Sequence, residues 1–173
     1  MASSSTDKGK SVEYEPVHEA HHSLEETSIA WPVVRSEEID DAMEHRVHFL
    51  DENKGRTQAC LSEMAGIESM GIHKVTLSPH TESTVLHSHL SESPDNGVEV
   101  QETLLHAGDF AGFPAGNPKE RWAHSLRAGD EAVTYILGGE RKSVDVITYP
   151  TLGRTLVSHE ESGAEAMFTG RSD

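Results

Sequence analysis

Val85-Leu86-His87-Ser88-His89 sets two imidazoles two residues apart. Side chains alternate faces along a strand, so His87 and His89 would project together with Val85, while Leu86, Ser88 and Leu90 face the other way. Two imidazoles converging from one strand are a natural start for a divalent-metal site. The chain has 173 residues and 12 histidines, so the pair by itself is equally compatible with two surface imidazoles on a half-exposed strand. Its meaning depends on what surrounds it.

Outward from the pair, the sequence reads as short strands between turns. Residues 72–77 alternate, with Val75 and Leu77 on one face and Lys74 and Thr76 on the other, and Ser78-Pro79 ends the run. On the far side, Ser91-Glu92-Ser93-Pro94-Asp95-Asn96-Gly97 concentrates turn residues, because Pro cannot donate to a ladder and Asn-Gly accepts positive φ. Residues 98–105 then place Val98, Val100 and Leu104 against Glu99, Gln101 and Thr103, which predicts a half-buried antiparallel strand. Further out, 46–50, 132–137 and 144–148 also read as strands. The cluster Asp51-Glu52-Asn53-Lys54-Gly55 is expected to end the first of these, and Gly138-Gly139 with Arg141-Lys142 to separate the last two. Residues 37–41 are acidic and read as a surface turn or short helix. Residues 61–70 carry apolar side chains at helical spacing, weakened by Gly66. Many short strands without a long amphipathic helix predict an all-β barrel or sandwich.

Composition bounds the rest. Residues 1–28 are rich in Ser, Glu and His and poor in large apolar side chains, so they are expected to be a disordered tail. One domain is expected over 29–157, and a flexible end over 158–173, with Met167-Phe168 able to dock on the body. With 14 Lys and Arg against 30 Asp and Glu, the formal net charge is −16, which argues against nucleic acid and anionic membrane surfaces as partners. Cys60 is the single cysteine, so no internal disulfide can form and a reducing, cytoplasmic setting is expected. Neither a targeting segment nor a membrane span is expected.

Gly108-Asp109-Phe110-Ala111-Gly112-Phe113-Pro114-Ala115-Gly116 changes the weight of the histidine pair. Together the two stretches resemble the cupin family, whose pattern is H-x-H, then G, five residues and P-x-G, then a later His. Gly108, Pro114 and Gly116 match the second element, and His124 in Trp122-Ala123-His124-Ser125 stands for the later His, beyond a loop lengthened by Lys119-Glu120-Arg121. The resemblance covers about 33–157. It implies a double-stranded β-helix, or jelly-roll, barrel with one divalent transition metal (Fe, Mn, Ni, Cu or Zn) held by His87, His89 and His124. The family's carboxylate ligand lacks a clean match: Glu92 lies one residue short of the usual spacing, and Glu102 is an alternative better read as a surface or ion-paired residue. Family members also carry an aromatic strand and hairpin at this point, and here the turn at Asp95-Asn96-Gly97 replaces it. An incomplete barrel is the expectation, with a homodimer covering the exposed edge.

The resemblance implies a metal-dependent enzyme acting on a small organic molecule, first of all an oxidoreductase of the dioxygenase type in specialised metabolism. Isomerase or decarboxylase chemistry is a further alternative, and a degenerate cupin that only binds a small molecule or protein is the non-catalytic one. Phe110, Phe113, Trp122 and Tyr135 are candidates for lining a pocket or packing a core. His73, His80 and His106 are read as structural or exposed, and Cys60 as not catalytic.

Overall fold

The computed structural model describes residues 33–89, 100–115, 122–159 and 164–169. The tail, Glu92 and its turn, and the loop from Gly116 to Arg121 lie outside them. The acidic stretch forms a short helix, α1 (Ser36–Asp41), whose entry is fixed by the Arg35 backbone N–H donating to the Glu38 carboxylate at 2.8 Å. Glu37 and Glu38 sit in its first turn, where negative charge suits the helix dipole. Strands β1 (Glu44–His48) and β2 (Asp51–Cys60) follow as a hairpin. The Asp51–Gly55 cluster therefore starts β2 instead of ending β1. The chain reverses earlier, at Phe49-Leu50, where His48 Nδ1 accepts the Leu50 N–H at 3.2 Å.

The ambiguous stretch after β2 resolves into one helical turn, α2 (Leu61–Met64), ended by Gly66 at φ +70°. Ser62 in that turn is fully buried, and its Oγ accepts the Ile72 N–H at 3.0 Å, fastening the turn to β3 (Met70–Leu77). As the alternation predicts, Val75 and Leu77 are buried completely, each contributing about 1.5–3 kcal/mol of apolar burial. The Val85–His89 strand is shorter than expected: only β4 (Ser88–His89) is ladder-paired, and His87 makes an isolated bridge.

Strand β5 (Val133–Glu140) runs through Gly138 and Gly139, which face Ile72 and Gly71 across β3. The two glycines do not break it, because ladder bonds are made by the backbone. Strands β6 (Val144–Tyr149) and β7 (Arg154–His159) are joined by a 3-10 turn at Pro150–Leu152 and by Gly153 at φ +59°. The end beyond Val157, expected to be flexible with Met167-Phe168 docking, supplies the last rungs of β7 and then β8 (Ala164–Thr169), paired along its length with β7.

The antiparallel order is β1-β2-β3-β5 in one sheet and β4-β6-β7-β8 in the other. Between them, 81–87 runs against 124–128 through Ser83 N–H to Leu126 O (2.8 Å), Ala128 N–H to Thr81 O (2.9 Å), and the His87–His124 bridge. A second small cluster, Val85, Tyr149 and Leu156 with Leu50 and Ile147, packs beside this seam. The all-β expectation holds, and among the described residues the barrel is not closed: β5 and β8 each end a sheet.

One strand expectation is corrected. Residues 100–115 form no strand and are exposed throughout, with Val100 at 61 % and Leu104 at 79 % of full accessibility. Alternation says which face a strand would bury, but a strand also needs a neighbour's ladder, and none of 100–105 has one among the described residues. The stretch is held by the Arg127–Glu102 ion pair at 2.8 Å and by a turn in which Asp109 accepts the His106 N–H at 2.7 Å. No helix among the described residues is long and apolar enough to cross a membrane.

Candidate metal centre

The paired hydrogen bonds between His87 and His124, His87 N–H to His124 O at 3.2 Å and the reverse at 2.8 Å, put both side chains on one face of the seam. His89 follows two residues after His87 and returns to that face. The ring centroids are 4.7 Å apart for His87–His124, 5.2 Å for His87–His89 and 6.5 Å for His89–His124. The structure thus brings the three sequence-predicted histidines side by side.

Their outer contacts fix which nitrogens face the centre. His87 donates its Nδ1–H to the Val85 carbonyl at 2.9 Å, and His89 donates its Nδ1–H to the Asp145 carboxylate at 2.9 Å. Because both partners are acceptors, the neutral form of each ring carries its lone pair on Nε2. The His124 Nδ1 is buried and has no partner at hydrogen-bonding geometry among the described residues, although the Trp122 backbone beside it partly offsets the effect of burial. Burial, and then the neighbouring His124, push His87 down to about 4. Burial also lowers His124. Both rings are therefore neutral near pH 7, the state in which imidazole binds a metal. The hydrogen bond from His89 holds the Asp145 carboxyl below the usual range, so it stays ionised.

Asp145 is the residue that sequence reasoning missed. It lies on β6 two positions from Ile147, the cross-strand partner of His89, and so on the same face as that histidine. The available signal was one acid inside the otherwise apolar run Val144-Asp145-Val146-Ile147.

Among solved structures, a provisionally assigned sugar phosphate isomerase from Acidithiobacillus ferrooxidans resembles the fold at TM-score 0.64 and 28% identity, over 79% of this chain and 90% of that one. A sugar phosphate isomerase from a cupin superfamily, from Silicibacter pomeroyi, does so at TM-score 0.59 and 22% identity, over 77% of this chain and 92% of that one. The chain has the cupin fold. No family model and no curated protein matches it.

In this fold the donor chemistry suits a divalent transition metal, with neutral His87 and His124 imidazoles and a buried His124 nitrogen that has no hydrogen-bond partner among the described residues. The spacing suits it in part. With metal–nitrogen bonds of about 2.0–2.1 Å, two imidazoles on one tetrahedral ion place their ring centres about 5 Å apart. The two pairs involving His87 meet that distance, whereas His89 and His124 must close by about 1 Å. Consistently, among the described residues no three His, Cys, Asp or Glu side chains stand already gathered for one ion.

The other candidates sort clearly. His80 and His106 are exposed, and Glu102 is in its ion pair with Arg127. Phe110 and Trp122 are exposed at 93 % and 55 % and line neither of the two cavities described below, a correction to the pocket expectation that for Phe110 follows from the open course of 100–115. Phe113 instead stacks on His124, centroids 3.9 Å apart and planes within 6°, covering that ring from outside. A cavity of about 300 Å³ lies behind the seam, walled by Leu50, Lys54, Glu82, Val85, Val100 and Ser125. A cleft of about 390 Å³ opens on the far side of Asp145, beside Arg141, Lys142 and Glu165. Neither is lined by the three histidines.

Proposed function

We propose that this protein is a metal-dependent isomerase of a small phosphorylated sugar or a closely similar hydroxy-carbonyl compound. The observation that carries the reading is the meeting of His87, His89 and His124, with His89 braced by the Asp145 carboxylate. The names of both structural neighbours favour isomerisation over dioxygenase chemistry. A divalent metal at this place would polarise a substrate carbonyl and make the adjacent C–H more acidic. Asp145 fixes the tautomer and orientation of the His89 ring. Burial, with Asp145 and Glu165 nearby, pushes the Tyr149 phenol up to about 12, so beside His87 it can donate a proton's hydrogen bond but not act as base.

The test is element-resolved metal analysis of untagged protein, His87→Ala and His124→Ala, followed by incubation of the metal-loaded protein with a panel of sugar phosphates in D₂O without oxygen. The expected result is near-stoichiometric metal in the wild type alone, and deuterium entering carbon without any oxidant. Equal metal in wild type and variants overturns the site. The width between His89 and His124 favours one second reading, a non-catalytic binding module, for which folded protein would stay metal-free after reconstitution.

A further inference from the structure

Four described lysines and arginines are not exposed: Lys54, Arg56, Lys74 and Arg141. Three carry a carboxylate partner: Lys54 pairs with Glu82, Lys74 with Asp40 at 2.6 Å, and Arg141 with Glu63 at 2.8 Å. Arg56 has none among the described residues. In a chain with 30 acids against 14 bases, a half-buried cation left without an acid is conspicuous.

Arg56 stands on the inner face of the first sheet. Gln58, two residues on, pairs across the ladder with Val75, which is fully buried, so Arg56, Gln58 and Val75 point to the same side. The guanidinium is held by neutral acceptors only, Nε donating to Gln58 Oε1 at 2.5 Å and Nη1 to the Ser83 carbonyl at 3.2 Å. Of its five N–H donors, three remain without an acceptor among the described residues. Its charge is felt by its surroundings: after burial, Arg56 is the largest influence lowering His48 and His73, and it draws down Tyr135 against the upward push of burial. The position also suits the histidine cluster. Ser83 lies four residues before His87, a reach of at most about 14 Å even in extended chain.

We propose that Arg56 is the anchor for the anionic group of the small molecule this protein takes, a phosphate monoester. The choice of phosphate rests on the isomerase reading; the presence of an oxyanion anchor rests on Arg56 alone. A planar fork held by two neutral acceptors presents its remaining N–H groups already oriented, which is how guanidinium recognises phosphate.

The test compares binding of ribose 5-phosphate, ribose and inorganic phosphate to wild type, Arg56→Met, Arg56→Lys and Arg154→Met by calorimetry. Arg154 is an exposed arginine that also has no ion pair among the described residues, and serves as the control. The expected result is at least tenfold preference of the wild type for the phosphorylated sugar, lost in R56M, partly kept in R56K and unchanged in R154M. If R56M does not fold, phenylglyoxal labelling of the wild type keeps the question open to refutation, since inorganic phosphate should protect Arg56 and not Arg154. Equal preference in wild type and R56M, or unprotected Arg56, overturns the anchor. A wild type that holds metal but shows no phosphate preference overturns the anchor and leaves the metal centre standing. Phosphate affinity lost in R56M from a protein that binds no metal supports the anchor and removes the isomerase.

Discussion

Acidifying the metal-free protein should cost stability through His87, by an amount that follows from its burial. Its imidazole is pushed down to about 4 in the folded state, against 6.5 for the same group in water. As pH falls below 6.5 the unfolded chain takes up the proton first, so folding loses ground until the folded ring also protonates near 4. The full shift of 2.5 units corresponds to about 3 kcal/mol, and at pH 5 about 2 kcal/mol of it is expressed. His87→Gln removes the titration and can still donate a hydrogen bond to the Val85 carbonyl. Urea unfolding at pH 7.5 and 5.0 with EDTA present should therefore show the wild type losing about 2 kcal/mol more than the variant between the two pH values. His48 and His73, also lowered by burial, titrate in both proteins and drop out of the comparison, while the repulsion between His87 and His124 is already contained in the lowered His87 value. Equal losses in the two proteins would mean that water reaches the ring freely, and the reasoning from burial would fail.

Two further outcomes follow from named contacts. Asp145→Asn should weaken metal binding about 10- to 100-fold in a chelator competition while leaving the far-ultraviolet spectrum unchanged, because His89 loses its orienting carboxylate but no strand contact. Leu77→Ala, at a fully buried position of the central strand, should lower unfolding free energy by about 2–5 kcal/mol, read as a shift in urea midpoint at constant slope.

How much the sequence disclosed varied with the kind of signal. The alternation of Lys74, Val75, Thr76 and Leu77 was legible because β3 is paired on both sides and buried on one, so period two maps directly onto burial. The same alternation at Val100 and Leu104 misled, since pairing is a property of the neighbour and not of the segment. Turn residues misplaced boundaries for a related reason: Asp51-Glu52-Asn53 can bend, but the hairpin used Phe49-Leu50, where His48 supplies the acceptor. The histidines of the candidate site could be found because their residue type is rare on a strand face and their motif order is informative. Asp145 and Arg56 could not, because each is singled out by what lies far away in the chain: Asp145 by His89, and Arg56 by the lack, among the described residues, of any acid paired with it.

The two hydrogen bonds that lock His87 against His124 span an excursion covering residues 88–123. Since those bonds are made by backbone, the pairing of the two residues does not depend on the side chains of the exposed 100–112 stretch. Exchange of the exposed 100–112 stretch, stopping short of the Phe113 that stacks on His124, would then change what surrounds the site while leaving the two imidazoles in register. A library confined to that stretch is the natural starting point for altering what the proposed site binds.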